Sequence, residues 1–231
     1  MVPTDEEIKC CIKGGYAIGK NWDSAIGFDG IEEYQYLFTE ESKAKYIALM
    51  SETLGFDKKE VQTYFWTELI KQLKDKGYGS IWHAEERTIE QDVEDYYAKA
   101  RNRHRWFGFS IEVYTAQSGR KVGFFVKVEN DYYYGFSWMD VPVSDDELSQ
   151  LVMQVSPEYK SNDSWAGWRY PDYSNEATRH DLNFWKMNPE THTSVKRLID
   201  PSKREELIKE IAQEMDEQIK KFIEIAKENN L

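Results

Sequence analysis

Cysteine is almost absent from this chain, which holds only Cys10 and Cys11, side by side. Adjacent cysteines bond each other only with strain, so no disulfide framework is expected and the reading is of a protein kept in a reducing cytoplasm. The acidic neighbours Asp5, Glu6 and Glu7 work against a reactive thiolate there. Histidine is scarce too: there are four, His83, His104, His180 and His192, and none has a second histidine four positions away. A helical zinc pair needs that spacing, so no metal and no cofactor are expected. No apolar run approaches the ~20 residues that cross a bilayer. The opening MVPTDEEIK lacks the basic and apolar stretches of a signal peptide. No Gly-x-Ser-x-Gly elbow announces a nucleophile.

Positive charge is also in deficit. Lys and Arg number 30 against 42 Asp and Glu, a net charge of −12. Naked nucleic acid is repelled at long range by such a surface, and another protein becomes the expected partner. Aromatic residues are plentiful at 15% of the chain, with 8 Trp, 15 Tyr and 11 Phe. They carry large apolar areas and make a packed core attainable despite 31% charged residues.

The length, 231 residues, suits a single domain over 1–231. Within it, residues 1–105 read as mainly helical. Thr4 and Glu7 form a capping box for a short helix, and a second helix is expected over 40–53. Asp57 caps a third, whose Val61, Phe65, Leu69 and Leu73 recur every four residues. Thr88 with Gln91 makes another box before Ile89, Val93, Tyr96 and Tyr97.

At Trp106 the period changes to two. Phe107, Phe109, Ile111 and Val113 alternate with Gly108, Ser110, Glu112 and Tyr114, and Val122, Phe124, Val126 and Val128 repeat the pattern after a turn. An Asn130-Asp131 turn leads into YYYGFSW. The expectation is an antiparallel β-meander over about 106–138, one face apolar and one mixed, in an α+β fold. A helix follows within 106–155, announced by Ser144 and Glu147. Residues 156–199 show no period and read as an aromatic loop region. Asp200-Pro201 is expected to open a long C-terminal helix over 200–231. Its stripe of Ile208, Ile211, Met215, Phe222 and Ile225 is interrupted by Gln218. Packing on its own domain is the first expectation for that stripe, and self-association the second.

Few motifs carry chemistry. Gly14–Lys20 fits G-x-x-x-x-G-K, but Asn21 stands where Ser or Thr must hold magnesium, and the flanking strand and helix are missing. A phosphate loop is therefore not expected. One basic concentration, Lys99, Arg101, Arg103 and Arg105, runs against the acidic background. A second cluster interleaves Trp165, Trp168, Arg169, Tyr170, Arg179 and Trp185. Arg between large rings is the composition of a protein-binding hot spot, and these ten residues are the expected partner contacts.

The stretch YFWTELIKQLKDKGY, followed by RHRWFGFSIEVYT, GFFVKVEND and YYYGFSW, resembles the C-terminal accessory region of bacterial proteins that carry a PD-(D/E)XK nuclease domain. The resemblance covers about residues 55–140. That nuclease chemistry needs an Asp, then Glu-x-Lys on a strand, to hold magnesium. Here Glu112 is followed by Val113-Tyr114, so the lysine is missing. The resemblance thus implies a part that binds rather than cuts, a regulator or inhibitor in a nuclease or defence system. An alternative is a divergent nuclease using Asp92 or Asp95, Glu112 and Lys127, with Lys127 opposite Glu112 on a hairpin. A further alternative is an acidic mimic of nucleic acid that docks on a basic protein.

Overall fold

Alternating apolar residues from Phe107 onward build the sheet on which the helices pack. A computed structural model describes residues 4–6, 9, 40–82, 87–98, 107–129, 131–140, 146–171, 182–184, 187, 189 and 192–231. The expected meander is present as β2 (Phe107–Thr115), β3 (Lys121–Val128) and β4 (Tyr132–Trp138). It is the centre of a wider sheet. β1 (Ser80–Trp82) joins β2, and the hairpin of β5 (Lys160–Asn162) and β6 (Trp165–Arg169) joins β4. The resulting six-stranded order is β1-β2-β3-β4-β6-β5, every pair antiparallel.

The helices are α1 (Glu40–Leu54), α2 (Lys58–Asp75), α3 (Ile89–Ala98), α4 (Asp146–Val155), α5 (Thr193–Ile199) and α6 (Arg204–Glu228). The fold is α+β, as the change of period implied. Asp57 caps α2 as expected, its carboxylate accepting from the backbone N–H of Lys59 at 2.8 Å and of Glu60 at 3.3 Å. The Thr88–Gln91 box is reciprocal: Gln91 N–H donates to Thr88 Oγ1 at 3.3 Å and Thr88 N–H to Gln91 Oε1 at 2.9 Å.

One face of the sheet is covered by α2 and α6. Trp66 of α2 meets Phe109 edge-on at 6.1 Å, and Phe65 lies 5.6 Å from Tyr132. Phe222 of α6 stacks on Phe136 at 4.5 Å. These side chains belong to one continuous core. Among the described residues no helix is long and apolar enough to cross a membrane.

Three expectations need correction. Strict alternation put Val113 with the apolar residues of β2 and Tyr114 opposite, but the register shifts between Glu112 and Tyr114. That bulge flips the phase, pairs Tyr114 with Val122 and brings its ring edge-on to Phe222 at 6.4 Å. The C-terminal helix opens at Arg204, not at Pro201. Asp200 ends α5 in extended conformation, and its carboxylate accepts from the N–H and hydroxyl of Ser202 at 2.9 and 2.7 Å, which makes a turn of residues 200–203. Thirdly, the aromatic region 156–199 contains the β5–β6 hairpin and α5. β5 is exposed at every position, so it carries no alternation to read.

The apolar stripe of α6 lies buried within the chain, from Leu207 to Ala226. Its packing onto its own domain is thus observed, and the stripe is not presented to a second copy. The polar interruptions have partners. Gln218 accepts from the Tyr159 hydroxyl at 3.2 Å, Asp216 accepts from Tyr78 at 2.7 Å, and Glu214 accepts from Tyr134. Tyrosine hydroxyls brought against α6 satisfy groups that a pure heptad reading treats as defects.

One buried charge gives a pH signature. Lys58, at the start of α2, is 4% exposed, with its ammonium 5.8 Å from the Tyr97 ring centre. Burial lowers its pKa from 10.5 to about 7. Between those values the unfolded chain binds more protons at Lys58 than the folded one, so this residue makes stability rise with pH there. The charging cost is fully present below the folded pKa and is relieved as pH rises through the window. A Lys58→Met variant is expected to be more stable than the parent by roughly 1–3 kcal/mol near pH 6, the gap narrowing by about pH 9.5. Urea titrations across that range check it, and a gap that ignores pH would remove Lys58 as the cause.

Candidate binding cleft on the open face of the sheet

The helices cover one face of the meander; the other carries an unusual set of side chains. In β3 the outward positions include Gly123, Phe125 and Lys127, and in β4 Tyr133, Gly135 and Ser137. The register sets Lys127 beside Tyr133, Phe125 beside Gly135, and Gly135 beside Trp168 of β6. Gly135 therefore adds no side chain to the middle of a row, where the β6 backbone approaches it closely, with Phe125 and Trp168 as its register partners. A water-facing sheet surface is ordinarily polar. Here rings meet edge to face: Tyr133 lies 5.7 Å from Trp165, 5.9 Å from Trp168 and 6.3 Å from Tyr170. Phe125 meets Trp165 at 5.9 Å, and Trp168 meets Tyr170 at 5.5 Å. Such packing fixes the rings, with Trp165 buried and Tyr170 exposed.

The rings wall a cleft of about 550 Å³. That is the size that takes a small ligand or a few residues of a peptide, roughly 300–1,000 Å³. Its polar lining includes Lys127, Glu129, Ser137, Asn162 and Ser164. Ser137 donates to the Ser164 carbonyl at 3.2 Å, and Ser164 N–H to Asn162 Oδ1 at 2.9 Å, which ties the β5–β6 turn to β4. Burial, together with the charge of Glu129, holds the Tyr133 hydroxyl above the ordinary tyrosine range, so it stays protonated at neutral pH. Tyr170 is shifted the same way by burial and by Asp131 and Glu129, and remains 43% exposed at the rim.

Of the expected contacts, Trp165, Trp168 and Tyr170 come together in this cleft. Arg169, between them in sequence, does not. It is buried, ion-pairs with Glu158 at 2.6 Å, and donates to Ser156 Oγ at 3.3 Å with its guanidinium 5.8 Å from the Tyr159 ring centre. Its role is to fasten β6 to the segment after α4. Lys99, Arg101, Arg103, Arg105, Arg179 and Trp185 lie outside the described residues, as do Gly14–Lys20, His83, His104 and His180.

The nuclease set is not assembled as the alternative required. Lys127 is in register with Gly108, not with Glu112, whose partner is Gly123. Glu112 instead accepts from Lys121 Nζ at 2.7 Å on the exposed surface. Asp95 and Asp92 both pair with Arg87, at 2.5 and 3.0 Å. Among the described residues, no group of three His, Cys, Asp or Glu side chains is placed to hold a metal ion.

Phe125, Lys127 and Tyr133 escaped the sequence reading as contacts. Their signal was present in the mixed face of the meander, where rings occupy positions that a water-facing sheet gives to polar residues. The chain matches no family model, no curated protein and no solved structure.

Proposed function

We propose that this chain is a protein-interaction module and that the cleft over β3, β4 and β6 receives a segment of its partner. The observation that carries this reading is the ring cluster centred on Tyr133, set on the sheet face away from the core helices. Tyr and Trp supply large contact area with little rotamer freedom to lose, which is why they dominate binding hot spots. Stacked rings also hold nucleic-acid bases, but the net charge of −12 opposes approach of a phosphate backbone. A binding role agrees with the accessory-region resemblance; a regulator of a nuclease or defence system, working in the cytoplasm, is the specific form it suggests.

Selection of random linear displayed peptides on the full chain tests the reading. Peptides enriched on the parent should bind Trp168→Ala and Tyr133→Ala at least about tenfold more weakly, the loss typical of a central aromatic anchor. Circular dichroism of both variants establishes that they remain folded. No enrichment, or equal binding to parent and variants, would overturn it.

A further inference from the structure

Among the described residues that line the cleft, Lys127 is the one cation, and its setting specifies the ligand more narrowly than the rings do. Lys127 is half-buried, with its ammonium 5.3 Å from the Trp165 ring centre and 5.5 Å from that of Phe125. Among the described residues, no carboxylate, carbonyl or hydroxyl accepts a hydrogen bond from it. Lys121 of the same strand differs, with Glu112 at 2.7 Å, while the exposed Lys160 of β5 stands 5.8 Å from the Trp168 ring centre. Glu129 lines the same cleft but makes no ion pair with Lys127, and its charge is felt instead at Tyr133 and Tyr170. Desolvation lowers the Lys127 pKa with no carboxylate to offset it. Ring faces compensate an ammonium only in part, because three donors remain to be satisfied. The cleft thus carries both a cation, held over Phe125 and Trp165, and a carboxylate whose charge reaches Tyr133 and Tyr170.

Resting on the protein-interaction reading above, we propose that the segment bound in this cleft carries an Asp or Glu side chain, flanked by apolar or aromatic residues, whose carboxylate accepts from Lys127 Nζ. A single lysine matches a single carboxylate; phosphate recognition ordinarily gathers several cations or an arginine fork. The chain's net charge of −12 opposes strongly acidic partners at long range, so the acid must be isolated within an apolar stretch rather than part of an acidic run.

The peptides enriched on the parent chain supply the probe. One is resynthesised with its acidic residue replaced by the isosteric amide, both forms with blocked termini. On the parent the amide form should bind about ten- to a hundredfold more weakly, the range of a lost hydrogen bond between charged groups. On Lys127→Met the acidic form should be weakened to a similar degree and the amide swap should cost little, while Lys127→Arg should restore preference for the acid. Such a coupling isolates the pair from general effects of the substitution. Enriched peptides without any acidic residue, or an amide swap that costs parent and Lys127→Met alike, would overturn the role of Lys127 and leave the cleft reading standing. Absence of enrichment would remove both. Should Lys127→Met fail to fold, Lys127→Gln, which keeps a polar end group, carries the same comparison.

Discussion

Truncation of Phe222 to alanine is expected to lower the free energy of unfolding by about 3–5 kcal/mol. The ring is fully buried on α6 and is a principal link between that helix and the sheet. It stacks on Phe136 of β4, 4.5 Å between ring centres and 27° between planes, and takes the edge of Tyr114 from β2 at 6.4 Å. Removing it leaves a void between elements that are distant in sequence and each held by many other contacts, so collapse to fill the space is limited. Both the lost transfer energy and the cavity then count. Phe222→Leu retains most of the volume and should cost under about 1.5 kcal/mol. Guanidinium denaturation of the three proteins measures the difference. A loss below about 1 kcal/mol for alanine would show that α6 does not depend on this contact. Because Phe222 meets the face of β4 opposite the cleft, the variant, while folded, should keep the affinity of the parent for a cleft-binding peptide.

That separation of faces explains how much of the molecule was legible in its sequence. Period located β2 and β3, because each is long enough to alternate several times between core and outward positions, and the Asn130-Asp131 turn located β4. Caps located α2 and α3 for a local reason: Asp57 and Thr88 bond backbone groups two or three residues away. What depends on distant partners was not legible. Gln218 looks like a break in a stripe until Tyr159 arrives to donate to it. The slip between Glu112 and Tyr114 matters because it aims Tyr114 at Phe222, more than a hundred positions away. The cleft lies between these cases. Trp165, Trp168 and Tyr170 stood out by composition, yet Arg169 stood out equally and faces the other way: alternation sends Trp168 and Arg169 to opposite sides, and the register shift against Lys160–Asn162 brings Trp165 to the side of Trp168. Only the pairing of β4 with β6 sorts them, and β5, exposed at all of its positions, hid the hairpin that produces that pairing.

The same pairing makes Gly135 the most sensitive point of the cleft. A Cβ placed there would lie 2.1 Å from the Gly167 carbonyl oxygen and 2.6 Å from Trp168 Cα. Both are backbone atoms of β6, so no rotamer change relieves the overlap. Gly135→Ala must therefore push β4 and β6 apart along the ladder that joins Tyr134 to Arg169 and Phe136 to Gly167. The expected cost is about 3 kcal/mol, the upper end for overpacking a well-fitted site. Gly79→Ala is the matched control: a Cβ there meets nothing within 4 Å, so its effect should stay within about 0.5 kcal/mol. The two variants separate loss of chain flexibility, common to both, from steric overlap, present in one. Displacing β6 also moves Trp168 and Trp165 away from Tyr133, so Gly135→Ala should weaken peptide binding at least about tenfold even where the protein is folded. Denaturation curves and peptide titrations on the same samples read both effects. Parent-like affinity in a destabilised Gly135→Ala protein would mean that the wall formed by β6 is not what the partner touches.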